Sequence, residues 1–173
     1  MKKDNYLHFQ KAKLDFPCAL EIYAQYTRDQ ILSALGYYTE SKIKSHREGV
    51  LFLKEKNMDA FFITIRKSEK AYSTSTMYED YVISEELFHW QSQSTTSASS
   101  ETGKRYIEHK QRGHKILLFV REEKVVDGFT APYVFLGTAE YQSHIGSKPM
   151  SIVWKLDKLI PAHFIKSWIE VGA

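Results

Sequence analysis

Lys115–Leu156, KILLFVREEKVVDGFTAPYVFLGTAEYQSHIGSKPMSIVWKL, is the stretch whose reading decides the fold. Three segments of it, KILLFVR, APYVFLGTAEYQ and PMSIVWKL, are short, apolar and bounded by turn residues, and they are rich in β-branched and aromatic side chains. That pattern predicts three strands. Working outward, EGVLFLKEKNMDAFFITIRKS predicts two further strands joined at Lys56-Asn57-Met58-Asp59, and Tyr81–Ile83 and Glu86–Gln91 are extended candidates. Helices are few. Thr27-Arg28-Asp29-Gln30 before ILSAL has the form of a capping box, with Gly36 closing the helix. Ser99–Gln111 reads as a polar helix ending at Gly113, and Pro161 opens a terminal helix carrying Phe164, Ile165 and Trp168. The order α, β, α, β, α does not alternate as a doubly wound sheet requires. The expected class is therefore α+β: a curved, mostly antiparallel sheet or open β-barrel with about three short flanking helices.

Strand periodicity places Trp154 on one face with Ile152 and Leu156, which makes it a core residue, and Phe52, Phe61, Phe119 and Phe135 read the same way. A chain of 173 residues is one domain able to bury a core without disulfides or metals. The net charge of +3 is mild, so any site for a polyanion must be a local patch. A single cysteine, Cys18, and the lack of a signal peptide or long apolar run point to a cytoplasmic protein with no membrane association. Residues 1–16 read as a linker end, and 17–173 as the domain, as in a piece of a longer chain.

Several chemistries find no support. Thr102-Gly103-Lys104 looks like the end of a phosphate-cradling loop, but Ala98 stands where the first glycine belongs and Arg105 where the magnesium-binding hydroxyl belongs. The histidines show no metal-ligand spacing, so neither a metal nor a cofactor is expected. Glu122-Glu123-Lys124 matches half of a metal-dependent nuclease motif, yet it opens a loop ending at Asp127-Gly128, where charges are ordinarily solvated. No catalytic residue is assigned.

From TMYEDYVISEELFHWQSQSTTSASSETGKRYIEHKQRGHKILLFVRE through PYVFLGTAEYQSHIGSKPMSIVWKLDKLIP, the sequence resembles a C-terminal domain of bacterial superfamily 2 helicases, many of which carry a phospholipase D-like nuclease. The likeness runs from about Tyr26 to Pro161 and includes REGVLFLKEKN and FHWQSQS. Such chains include type IV restriction enzymes of the SauUSI kind, which cut DNA containing 5-methylcytosine. The resemblance implies an SRA/PUA-like fold, double-stranded DNA with a modified cytosine as partner, upstream helicase and nuclease domains, and no catalytic centre in this part.

A reader of a modified base must flip it from the duplex, replace its lost stacking, accept its exocyclic amine and enclose its methyl. Trp90 with Tyr78 or Tyr81 is nominated for stacking, and Asp80 for the amine. Period two puts Phe88 and Trp90 on one face, so Trp90 stays open between stacking and core, and Tyr81 and Asp80 have structural readings too. His89, Gln91, Gln93 and His144 are nominated as base-edge or loop contacts. Ser92, Ser94, Thr95 and Thr96, with Lys104, Arg105, Lys110 and Arg112, are nominated to hold phosphates; their alternative is a polar loop beside a solvated helix. A protein-interaction module docking on the helicase or nuclease is the second function class.

Overall fold

The computed structural model describes residues 8–41, 44–66 and 80–172. Its strands are β1 (Gln10–Lys11), β2 (Glu21–Ile22), β3 (Gln25–Tyr26), β4 (Val50–Leu53), β5 (Met58–Thr64), β6 (Tyr81–Val82), β7 (Leu87–Gln91), β8 (Lys115–Arg121), β9 (Val125–Val126), β10 (Phe129–Thr130), β11 (Tyr133–Ile145) and β12 (Ser151–Leu156). Three helices accompany them: α1 (Arg28–Ala34), α2 (Glu101–Ile107) and α3 (Ala162–Gly172). The main sheet runs β4-β5-β8-β11-β12-β7-β6, with β3 beside the start of β11. Every pairing in it is antiparallel except β5 with β8. The expected α+β class with an open, mostly antiparallel sheet is what forms.

Both faces of the central strands are covered, which explains why MDAFFIT and KILLFVR are nearly continuous apolar runs rather than alternating ones. Phe61, Ile63, Ile116, Leu118 and Val120 face one core with Phe88, Trp90, Trp154 and α3. Ala60, Phe62, Leu117 and Phe119 face the other, with α1 and Phe135. Curvature is visible in a single contact. Phe61 on β5 and Trp90 on β7 are separated by three strands in the sheet order, yet their rings stack at 4.2 Å. Strand β11 makes that curl possible, because it bends at two bulges, between Phe135 and Gly137 against β8 and between Tyr141 and Ser143 against β12. Gly137 takes φ +86°, and a β-carbon there would also meet Ile22 Cδ1 at 3.1 Å.

Local signals hold where they are strong. The Thr27 hydroxyl accepts from Gln30 N–H, and the Gln30 side chain accepts from Thr27 N–H, completing the capping box. β4 and β5 pair as the expected hairpin, turned by a short 3₁₀ segment, Lys54–Lys56, with Asn57 at φ 55°. Helix α2 is shorter than expected, and β11 extends beyond its predicted end to Ile145. Gln10–Lys11, inside the stretch read as a linker end, pair with Glu21–Ile22. The loop after Glu122 is a small hairpin, β9 to β10, whose turn residues Asp127 and Gly128 both have positive φ. One core assignment is corrected: Phe52 is 43% exposed and instead carries the Arg105 guanidinium at 3.7 Å, because its strand β4 lies at the sheet edge. No helix among the described residues is long and apolar enough to cross a membrane.

Candidate nucleic-acid cleft

At the end of the sheet where β5 and β8 terminate, a cleft of about 1130 Å³ opens between the start of α1, the start of β4 and the end of β7. Asp80, Trp90, Gln91, Ser92 and Gln93 line it, and so do Arg28, Arg47, Arg121, Lys124 and Tyr133. The curl of the sheet lets the start of β4 (Val50) and the end of β7 (Trp90, Gln91) line one space, although these strands lie near opposite ends of the strand order.

The arginines are held in an unusual way. Arg28 Nη1 donates to the carbonyls of Glu48 (2.8 Å) and His46 (3.4 Å), and its Nη2 donates to the Tyr133 hydroxyl at 3.1 Å. Arg121 Nε donates to Thr64 Oγ1 at 2.9 Å and its Nη1 to the Ala131 carbonyl at 3.0 Å. Their guanidinium carbons lie 5.7 and 4.3 Å from the centre of the same Tyr133 ring, and Arg28 also sits 4.1 Å over Phe62. All these partners are neutral. Among the described residues, no carboxylate lies within ion-pair distance of either arginine. Burial, and then the neighbouring Arg28 charge, pull the Arg121 guanidinium below the usual arginine range. Farther out, Arg66 is neutralised by Glu123 at 2.8 Å.

The nominated base-pocket residues are distributed unevenly. Trp90 lines the cleft but is only 5% exposed; one face of its indole is stacked on Phe61 and its surroundings include Tyr106 edge-on at 5.5 Å. Little of its surface reaches the cleft. Asp80 is buried beside it, and its Oδ1 accepts from Gln91 N–H at 2.9 Å. Gln91 and Gln93 border the cleft, and Gln93 is exposed. Tyr81 and His89 stack on each other at 4.4 Å on the strand face away from Trp90, and His144 Nδ1 pairs with the Tyr141 hydroxyl at 2.6 Å; none of the three borders the cleft. Tyr78 lies outside the described residues.

The hydroxyl tract is an ordered connector. Ser92 is buried, its Oγ accepting from Met150 N–H (2.8 Å) and donating to the Gln93 carbonyl. Thr96 is also buried, with its carbonyl taking Lys148 N–H at 3.0 Å, while Ser94 and Thr95 are exposed. Ser100 caps α2 by accepting from Gly103 N–H. Gly103 is needed for close packing, because a β-carbon there would lie 2.0 Å from the Ser97 carbonyl oxygen. That contact explains the glycine in Thr102-Gly103-Lys104 without any nucleotide.

The cations on and after α2 are mostly engaged. Arg105 makes a bidentate contact with buried Asp59, at 2.7 and 3.0 Å, and His114 Nε2 reaches the same carboxylate at 2.7 Å. Arg112 pairs with Glu101 and Glu108, and Lys110 with Glu140. Lys104 is exposed. Arg28, Arg47, Arg121 and Tyr133 are not among the residues the sequence nominates for a site. No local signal marks them: Arg28 hides inside a capping box, Arg121 ends an apolar strand, and only the fold gathers them. Glu122, from the nuclease-like triplet, accepts from Ser167 of α3 at 2.7 Å.

Residues 20–167 match the family described as a domain of unknown function, DUF3427. No curated protein matches the chain.

Proposed function

We propose for this chain, which belongs to the DUF3427 family, the role of a DNA-binding module that recognises cytosine modified at C5, as 5-methylcytosine or 5-hydroxymethylcytosine, by base flipping. In this reading it is the non-catalytic C-terminal part of a cytoplasmic, ATP-dependent type IV restriction helicase-nuclease, and it needs no cofactor. The observation that carries the reading is the cleft itself. It gathers Arg28, Arg47, Arg121 and Lys124 with Asp80, Gln91 and Gln93 around one space, so cations suited to a phosphate backbone and polar groups suited to the edge of a base line the same cleft.

At about 1130 Å³ the cleft is not smaller than the roughly 300 to 1000 Å³ typical of small-molecule pockets, which leaves room for the strand and flanking phosphates that this reading places there. Affinity then comes from the cations and is steeply salt-dependent. Discrimination of one methyl is worth only about 1 to 3 kcal/mol even in a well-fitted recess, and belongs to the Trp90–Gln93 wall. The test is a titration of the chain against matched duplexes that differ only at cytosine C5. Tighter binding of the modified duplex by about fivefold or more is expected. Equal affinity for both would reject modified-base reading, while leaving DNA binding standing.

A second reading is supported by a separate observation. Val125, Val126 and Phe129 on the β9–β10 hairpin are exposed, Phe129 at 78%, beside a hollow of about 540 Å³ reaching Phe164 and Trp168 of α3. This surface suits docking on the upstream helicase or nuclease domains. A chain that ignores every DNA tested but captures those domains, and loses that capture on Phe129→Ser, would favour it.

A further inference from the structure

We propose that Arg28 and Arg121, braced on the Tyr133 ring, form a seat for one phosphate group, which sets the register of the ligand in the cleft. The seat is an anion site in its own right. It rests on the DNA-binding reading only for the source of the phosphate, a strand backbone in that reading or a free phosphorylated nucleotide otherwise.

Two half-buried guanidiniums side by side carry a cost. Placed against one ring, like charges repel and each loses part of its hydration. A fold ordinarily offsets this with a carboxylate, and this chain does so for Arg105, Arg112 and Arg66. At Arg28 and Arg121 it instead supplies carbonyls, a threonine hydroxyl and a tyrosine hydroxyl, which fix orientation without cancelling charge. Of the acids that line the cleft, Glu123 is paired with Arg66; Asp29, which accepts from the Tyr38 hydroxyl at 2.9 Å, and Asp80, which accepts from Gln91 N–H, keep their charge but make no ion pair with Arg28 or Arg121. Each guanidinium keeps N–H groups beyond those used by its anchors, and both residues line the open cleft.

A tetrahedral anion suits this arrangement better than a carboxylate. One carboxylate matches one guanidinium fork, whereas the non-bridging oxygens of a phosphate can each face a different arginine. Because both forks are fixed before binding, little side-chain freedom is lost when the anion arrives.

Two measurements on the purified chain test the seat. Thermal unfolding is followed in inorganic pyrophosphate and in chloride at equal ionic strength, for the wild type, Arg28→Lys and Arg121→Lys. Lysine keeps the charge and loses the fork. Pyrophosphate should raise the wild-type midpoint and raise it much less in either variant; equal rises in all three overturn the seat. Should a variant fold poorly, phenylglyoxal labelling of the wild type replaces it, read by mass spectrometry. Pyrophosphate should shield Arg28 and Arg121 ahead of exposed Arg47, and uniform shielding overturns the seat. The second measurement identifies the source, using duplexes in which one phosphate at a time is a neutral methylphosphonate. The wild type should lose about tenfold or more at one position, and Arg121→Lys should be indifferent there. DNA binding with identical scans in both proteins rejects the seat but retains the DNA reading. Pyrophosphate protection without any DNA binding keeps the seat, assigns it to a free nucleotide, and rejects the DNA reading.

Discussion

The molecule holds arginines in two contrasting ways. On α2 and just after it, Arg105 and Arg112 each meet carboxylates, and Arg105 is locked against an Asp59 that is wholly buried. In the cleft, Arg28 and Arg121 meet only neutral oxygens and aromatic rings. Residue type is the same, and local charge is not. A paired arginine has already been neutralised and has few counterions to release, whereas one oriented by carbonyls still presents its charge to a ligand. On the function proposed above, the first region serves stability and the second serves binding.

The largest effect should come from the stability side. Asp59→Ala removes the carboxylate shared by Arg105 and His114 and strands a mostly buried guanidinium, 11% exposed, with no counter-charge. Breaking one partner of such a pair costs about 3 to 5 kcal/mol. Urea unfolding checks this, and a loss below about 1 kcal/mol would show that the pair is incidental. Replacing both charges, as in Asp59→Leu with Arg105→Met, should recover much of the loss, because no orphan charge then remains.

The next effect separates the regions by salt. For DNA binding, Arg121→Gln should reduce the slope of log affinity against log salt by about one unit and weaken binding of every sequence alike. Arg112→Gln should change the slope far less, because Glu101 and Glu108 already hold that charge. Matching slope changes in the two variants would dissolve the distinction between paired and presented cations.

Why the sequence showed one of these regions and not the other follows from contact range. Lys115–Arg121 is a strand over the predicted residues, Thr27 and Gln30 form their box, and Ser100 caps α2, because each depends on neighbours a few positions away. Tyr81, His89, Phe88 and Trp90 sort onto two faces by strand alternation alone. Pairing is another matter. Asp59 neutralises Arg105 from 46 residues away, so a cluster that reads as basic in KRYIEHKQRGHK is largely cancelled in space. Arg28 and Tyr133 are 105 positions apart, and nothing near either announces the other. The FHWQSQS segment supplies part of the cleft lining, since Trp90 to Gln93 border it, but the arginines that line it with them come from α1 and β8. Phe52 misled for the opposite reason: alternation describes a strand and not its place in the sheet, and at an edge an aromatic ring can serve as a platform for a guanidinium.

The smallest effect concerns a histidine that joins the stability region to β11. His109 is buried; its Nδ1 faces the His114 carbonyl at 2.9 Å, and its Nε2 accepts from Tyr141 N–H at 3.0 Å, at the bulge where that amide leaves the ladder with β12. This arrangement needs a neutral ring with the proton on Nδ1. Burial lowers its pKa from the ordinary 6.5, so between the two values the unfolded chain binds the extra proton and the folded one does not. The resulting stability is whole above pH 6.5 and is lost as pH falls toward the folded value, with a slope of at most about 1.4 kcal/mol per pH unit for one proton. His46, lowered by burial and then by Arg28, adds a term of the same sign from the cleft side. Urea midpoints should therefore fall from pH 7.5 to 5, and His109→Gln, which retains a donor and an acceptor without titrating, should lower stability at pH 7.5 but flatten the fall. A fall of undiminished steepness would place the pH sensitivity with His46, and so with the cleft rather than with the paired region.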